Sequence, residues 1–90
     1  MNKQKLLARV VSSRKNVRFR DFIILLEAFG FVYKRTVGSH NIYKHNDIPI
    51  PFSVQERKGE AKPYQVEQFL ALVEEYDLKM ANNEEDNKNE

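Results

Sequence analysis

Two segments rich in aromatic and β-branched residues flank a short turn in the sequence FVYKRTVGSHNIYKH, which covers residues 31–45. Such residues favour extended strands, because bulky and branched side chains pack well on a pleated surface. Gly38 lies between the two segments and readily adopts the backbone angles of a tight turn. We therefore predict a β-hairpin with strands at residues 31–36 and 40–45.

The segment before this hairpin has the periodicity of a helix. Its apolar residues fall on one face of a helix that begins near Arg20. They are Phe22, Leu25, Leu26 and Phe29. Asp21 is favourable in the first turn of such a helix, and Gly30 is well placed to end it. The sequence thus predicts a helix that leads directly into the hairpin.

The segment after the hairpin predicts a third strand and a further helix. Apolar and polar or small residues alternate over residues 50–55, the period of a strand with one buried face. Pro51 favours an edge position for this strand, because proline cannot donate a backbone hydrogen bond. Residues 57–62 are predicted as a basic loop, and Pro63 suits the first turn of a helix that ends near residues 76–78. The apolar face of that helix comprises Val66, Phe69, Leu70 and Val73.

The N-terminal segment adds one more helix to this order. Apolar residues at helical spacing predict a helix over residues 3–12, with Asn2 available as its cap. The fold class is therefore α+β, with a small three-stranded antiparallel sheet whose one face is covered by helices. We expect a single domain over residues 1–80. Residues 81–90 contain no apolar residue after Ala81, so we expect a disordered acidic tail.

Composition excludes several classes of protein and site. The absence of cysteine removes disulfides, thiolate nucleophiles and cysteine zinc sites. Three scattered glycines cannot build a nucleotide-binding loop, so no small-molecule cofactor is expected. The N-terminal apolar run is too short for a signal peptide, and no segment approaches a membrane span. We expect a cytoplasmic protein with no membrane partner.

Charge is divided unevenly along the chain. Residues 1–62 hold 13 Lys and Arg against 5 Asp and Glu, a net charge of +8. Residues 63–90 hold 2 Lys and Arg against 8 Asp and Glu, a net charge of −6. The first two-thirds of the chain would therefore favour a polyanionic partner.

His40 is the residue best suited to chemistry. An RNA phosphodiester brings its own nucleophile, the 2′-hydroxyl, so a protein needs mainly a proton acceptor or donor and positive charge. Strand alternation groups His40 with Ile42 and Lys44, but it does not show which face of the sheet meets the helices. The spacing of His40 and His45 does not favour a metal site, because residues of opposite parity point to opposite faces. We interpret His45 as a solvent-facing residue and the aromatic residues of the last helix as core.

Three stretches together resemble the HicA toxin family. They are DFIILLEAFGF at residues 21–31, VGSHNIYKH at 37–45 and GEAKPYQV at 59–66. The resemblance covers about residues 17–78, so the predicted N-terminal helix and the acidic tail lie beyond it. It implies a fold similar to the double-stranded RNA-binding domain, mRNA cleavage, and neutralisation by a HicB-like antitoxin. The catalytic histidine of the family corresponds to His40, and no metal requirement is implied.

The first hypothesis is therefore a metal-independent endoribonuclease with His40 in proton transfer. Candidate RNA contacts are Gly38, Ser39, Lys34, Arg35, Lys44, Arg57, Lys58 and Lys62. The alternative is a non-catalytic RNA-binding or regulatory module of the same fold, because fold does not determine activity. A third interpretation, a protein-interaction domain, predicts tight antitoxin binding without RNA affinity.

Overall fold

The three predicted helices and three predicted strands occur in the predicted order, with two short additional strands before the last helix. The computed structural model describes residues 2–80. The helices are α1 (Lys3–Ser12), α2 (Phe19–Ala28) and α3 (Pro63–Glu75). The strands are β1 (Val32–Val37), β2 (His40–His45), β3 (Ile48–Val54), β4 (Glu56–Arg57) and β5 (Glu60–Ala61). The acidic tail predicted for residues 81–90 lies outside the described residues. No helix within residues 2–80 is long and apolar enough to cross a membrane.

The first three strands form one antiparallel sheet with the order β1-β2-β3. The predicted α+β fold is confirmed, and β3 is an edge strand, as Pro51 indicated. β3 begins earlier than the alternation predicted, because His45 pairs with Ile48 across the turn at Asn46 and Asp47. The likeness to the double-stranded RNA-binding domain stays a prediction.

The prediction of a basic loop at residues 57–62 was wrong in part. β4 and β5 form a second, two-stranded sheet in which Arg57 pairs with Glu60. The two residues between them, Lys58 and Gly59, have φ angles of 53° and 80°. Two successive positive φ angles are typical of a type I′ turn, which matches the twist of a hairpin. Lysine rarely adopts this conformation, so Gly59 was the only signal for the turn.

Aromatic side chains from three segments build the centre of the core. Phe69 of α3 is fully buried and lies edge-on to Phe22 and Phe29, with ring centroids 5.6 Å away in both pairs. Phe31 approaches the same ring at 6.1 Å. The sheet contributes Tyr43, Phe52 and other buried residues from the face that the helices cover. Tyr64 does not belong to this core, contrary to our interpretation, because 56% of it is exposed.

The end of α2 is fixed by backbone and side-chain contacts together. Gly30 has a φ of 97° and donates to the carbonyl of Glu27, while Phe31 donates to the carbonyl of Leu26. These two bonds form a Schellman motif, which requires a left-handed residue and explains the glycine. A β-carbon at Gly30 would lie 2.9 Å from His45 Nε2. The chain therefore turns tightly around the His45 ring.

His45 joins β2 to the end of α2, so its interpretation as a solvent-facing residue was wrong. Its Nδ1 accepts a hydrogen bond from the Asp47 amide at 3.0 Å, and its Nε2 lies 2.9 Å from the Phe29 carbonyl. A ring that accepts at Nδ1 carries its proton at Nε2, which donates to the carbonyl. Both ring nitrogens thus serve the fold.

The predicted N-terminal helix packs against α2. Asn2 caps it by accepting from the Lys5 amide at 3.0 Å, and Leu6 and Val10 are buried in the same core as α2 and α3. Arg14, just after the helix, forms a 2.7 Å ion pair with Glu67 of α3. The segment before α2 is therefore an integral layer of the fold.

Candidate active site

The turn between β1 and β2 consists of Gly38 and Ser39, because Val37 pairs directly with His40. Gly38 has a φ of 62°, whereas Ser39 has no positive φ, as in a type II′ hairpin turn. A β-carbon at Gly38 would meet no atom within 4 Å. Glycine is therefore required for backbone conformation, and the space beside this turn is open to a ligand.

His40 lies on the face of the sheet that points away from the helices. Tyr43 is buried and pairs with Phe52, so alternate residues from Asn41 face the helices and His40 faces outward. Burial therefore decides between the two faces, which strand alternation alone could not do. His40 is exposed, and its Nδ1 lies 3.1 Å from Ser53 Oγ on β3. The hydroxyl orients the ring and leaves Nε2 available.

A chain of three side chains connects the turn to the start of α3. Gln55 donates from Nε2 to Ser39 Oγ at 2.6 Å, and its Oε1 accepts from Lys62 Nζ at 2.7 Å. Lys62 is the N-terminal cap residue of α3. A hydrogen bond to a charged group is stronger than a neutral one, so the ammonium also holds the Gln55 amide in place.

Gln65 fixes the same helix turn to β3. Its side chain is buried, accepts from the Gln55 amide at 3.0 Å and donates to the Ser53 carbonyl at 2.8 Å. A buried amide without these partners would cost about 1–3 kcal/mol of stability. The first turn of α3 therefore sets the position of Ser53 and, through it, of His40.

The predicted basic contacts do not all gather at His40. Lys62 is linked to the turn through Gln55. Arg35 pairs with Ile42 and is therefore a diagonal neighbour of His40 across the hairpin, with a typical Cβ–Cβ distance of about 7–8 Å. Lys34 and Lys44 line one depression at the other end of the sheet. Strand rise places Lys44 about 13 Å along β2 from His40.

Two further basic residues extend the surface in another direction. Arg57 and Lys58 lie on the β4–β5 hairpin, which is bonded to the start of α2 by the Phe19 amide and the Gly59 carbonyl at 2.9 Å. The cationic residues thus form a spread surface around the turn.

Ser53, Gln55 and Gln65 hold the site in place, and sequence reasoning missed all three. None of them is charged or a histidine, so none carries a local signal of chemistry. Alternation did place Ser53 on the face opposite Phe52, which was the one available signal. The partners of the two glutamines depend on how α3 docks against β3, and no local pattern shows this.

Other acid–base or metal-binding groups are scarce near His40. Within residues 2–80, no three His, Cys, Asp or Glu side chains converge on a position where they could hold a metal ion. Burial, followed by the charges of Glu27 and Tyr33, raises the pKa of Tyr43, so this phenol stays protonated. It also lies on the opposite face of the sheet. His40 is thus the imidazole that the geometry presents to a ligand at the turn.

A groove of about 500 Å³ runs along the edge strand β3 where α3 meets the sheet, and it extends to His40 on the outward face. Its walls include His40 and Ser53 from the sheet and Tyr64, Gln68 and Leu72 from the helix. Ile50 and Tyr64 are 65% and 56% exposed, so much of this lining is apolar surface in contact with water.

Comparison with known families gives a match over most of the folded chain. A family model described as HicA toxin of bacterial toxin-antitoxin matches residues 19–74, from the first residue of α2 almost to the end of α3. The matched region contains the turn, His40 and the residues that support it, and it excludes α1. Neither the curated proteins nor the solved structures contain a match.

Proposed function

Because this chain belongs to the HicA family of toxins from bacterial toxin–antitoxin systems, we propose that it is an endoribonuclease that cleaves mRNA. The observation that carries the proposal is the exposed His40 beside a glycine turn. Its Nδ1 is bonded to Ser53, and its Nε2 has no hydrogen-bond partner among residues 2–80. A substrate of this kind places its action in the cytoplasm.

The reaction requires little from the protein beyond proton transfer and charge. His40 Nε2 takes the proton of a ribose 2′-hydroxyl, whose oxygen attacks the adjacent phosphorus. The new P–O2′ bond forms as the P–O5′ bond breaks, and the 5′-oxygen is protonated by the imidazolium or by water. The products are a 2′,3′-cyclic phosphate and a 5′-hydroxyl end. No metal ion enters this scheme.

Ser53 supports this role by orienting the His40 ring through a hydrogen bond that is compatible with a proton on Nδ1. When Nε2 acts as the base, Nδ1 carries the proton and donates it to Ser53 Oγ, 3.1 Å away. The bond stabilises the ring in the orientation that presents Nε2 to the substrate. The imidazolium that forms during the reaction keeps the same donor.

The cationic residues around the turn would bind the phosphates. Arg35 is a diagonal neighbour of His40 across the hairpin, and Lys62 is linked to the turn through Gln55. Gly38 and Ser39 provide an open backbone turn beside His40. Contacts farther along the RNA would come from Lys34 and Lys44 in one direction and from the β4–β5 hairpin in another. Each neutralised phosphate releases counterions, so RNA binding should weaken as salt rises.

A toxin of this family has a cognate antitoxin. We propose that the antitoxin is HicB-like and acidic where it covers His40 and the cationic residues, since it would then exclude RNA by occupying the same surface. A complex in which His40 stays accessible and RNA still binds would contradict this masking model.

RNA cleavage is tested directly with the purified protein and a labelled single-stranded RNA. We expect cleavage in EDTA, cyclic-phosphate ends on the 5′ fragments, and a KM that rises with salt. An otherwise identical RNA with a 2′-deoxy sugar at the cut should resist, because its nucleophile is missing. Cleavage that requires added divalent metal, or that persists on the deoxy substrate, would contradict the mechanism.

Removing the Ser53 hydroxyl should slow the reaction without weakening substrate binding. We expect Ser53→Ala to lower kcat by about 3- to 10-fold, the worth of one neutral hydrogen bond, at unchanged KM. Ser53→Thr, which keeps a hydroxyl, should restore most of the rate. A loss that appears in KM alone, or that threonine does not restore, would remove the positioning role.

A non-catalytic RNA-binding module is the second candidate. The observation in its favour is that the His40 ring has one hydrogen-bond partner within residues 2–80, a hydroxyl, and no carboxylate to strengthen it as a base. This candidate predicts salt-dependent RNA binding with no cleavage in the assay above.

A further inference from the structure

The groove beside His40 contains surface that the phosphate chemistry does not use. Tyr64 stands on the first turn of α3, 56% exposed, and lines the groove together with Gln68. Pro51 and Leu72 add apolar surface to the same walls. The proposed mechanism needs a proton acceptor and cationic residues, so it gives no role to these apolar and aromatic side chains.

We propose, on the basis of the endoribonuclease function above, that this groove binds one unpaired nucleobase of a single-stranded RNA next to the cut, stacked on Tyr64. Aromatic side chains bind unpaired bases through their faces and tolerate any base identity. The volume of about 500 Å³ lies within the range typical of small-ligand sites. The exposed amide of Gln68 supplies a donor and an acceptor for the edge of the base.

The substrate must be single-stranded at this position. In an A-form duplex each base is paired along its edge and stacked on both faces, so it cannot enter a groove in a protein. An unpaired nucleotide can rotate its base outward and lay it on the tyrosine ring. The resemblance to a double-stranded RNA-binding fold would by itself suggest the opposite substrate, so the groove makes a distinct prediction.

The position of His40 favours RNA over a protein segment as the occupant. His40 and Ser53 form part of the groove wall, so any occupant lies against the ring that carries the chemistry. The surface around the turn also carries Arg35 and Lys62, which attract the phosphates of the same nucleotide. A base held on Tyr64 would bring its own ribose and phosphate to His40, which converts stacking energy into orientation.

Substitution of Tyr64 tests the subsite on the protein side. With a single-stranded RNA, we expect Tyr64→Ala to lower kcat/KM by about 5- to 100-fold, the effect of losing one stacked base. Tyr64→Phe keeps the ring and should stay within about twofold of the original protein, an expectation from the same principle. Tyr33→Ala is the matched control, since Tyr33 is also exposed, at 48%, but lies on β1.

The substrate side makes the test specific for a base. A series of RNAs is prepared, each with one abasic nucleotide at a different position flanking the cut. For one of these RNAs, we expect the original protein to cleave as slowly as Tyr64→Ala cleaves the intact RNA. That same abasic RNA should cost Tyr64→Ala no further rate. A fully paired duplex of the same sequence should be a poor substrate.

Three results would overturn the subsite while leaving RNA cleavage in place. The first is full activity of Tyr64→Ala. The second is a loss of rate for Tyr64→Ala on the abasic RNA that equals the product of the two separate losses. The third is cleavage of the duplex at the single-strand rate. If the protein binds RNA without cutting it, the same variants are compared by fluorescence anisotropy, and Tyr64→Ala should raise the Kd by a similar factor. Absence of any RNA binding would overturn the subsite together with the proposed function.

Discussion

His40→Ala is expected to lower kcat for RNA cleavage by about 10²- to 10⁴-fold, the usual contribution of a general acid or base. The ring is exposed and makes one hydrogen bond, to Ser53, so its loss leaves no cavity and no buried polar group. RNA affinity should stay nearly unchanged, because the cationic residues remain. We therefore expect expression of the original protein to arrest growth and expression of His40→Ala to be harmless, although the variant accumulates in folded form.

His45→Ala provides the matched control, since it removes the second of the two histidines. His45 bonds to the Phe29 carbonyl and the Asp47 amide, so this change should lower the free energy of unfolding by about 1–3 kcal/mol. Its activity per folded molecule should remain. Circular dichroism and single-turnover cleavage separate the two effects. Equal activity of His40→Ala and the original protein would remove His40 from the mechanism.

Phe69→Ala should destabilise the fold more than any of the other substitutions proposed above. The ring is fully buried and contacts Phe22, Phe29 and Phe31, so its removal leaves a cavity where α2, α3 and the start of β1 meet. Phenylalanine-to-alanine changes in cores cost about 3–5 kcal/mol. Domains of this kind are typically stable by about 5–15 kcal/mol, so a large part of the stability would be lost.

Thermal and urea denaturation measure this change. We expect the Tm to fall by about 12 °C or more, given the usual relation between free energy and Tm for a domain of this length. Tyr33→Ala, which truncates a half-exposed aromatic residue, should cost less than about 1 kcal/mol. A Phe69→Ala protein as stable as this control would show that the aromatic cluster does not hold the helices to the sheet.

Periodicity predicted the elements whose apolar faces are strongly marked. The face from Phe22 to Phe29 and the segments around Gly38 indicated α2, β1 and β2 within one or two residues, because burial there follows local sequence. The β4–β5 hairpin was missed because Lys58 adopts a left-handed conformation that lysine seldom takes. Tertiary contact overrides a weak local preference there, since Arg18 pairs with Glu60.

Sequence reasoning selected His40 as the centre of the candidate site but did not identify the residues that support it. The sequence Gly38-Ser39-His40 indicated His40, because a histidine next to a glycine turn can be recognised from the amino-acid sequence. The roles of Gln55 and Gln65 arise where β3 meets α3, between residues that are 10 apart in sequence. His45 was misinterpreted for the same reason, because its partner Phe29 is 16 residues away.

The Gln65 side chain has a consequence for how copies of this protein avoid one another. Its amide bonds to the carbonyl of Ser53 and the amide of Gln55, as the backbone of an adjacent parallel strand would, and so occupies the outer edge of β3 there. Open strand edges recruit other chains and seed aggregates. Gln65 occupies this part of the β3 edge, and β1 forms the opposite edge of the three-stranded sheet. Lys34 and Arg35 on β1 would repel an identical strand, so we expect them to disfavour edge-to-edge assembly of the toxin.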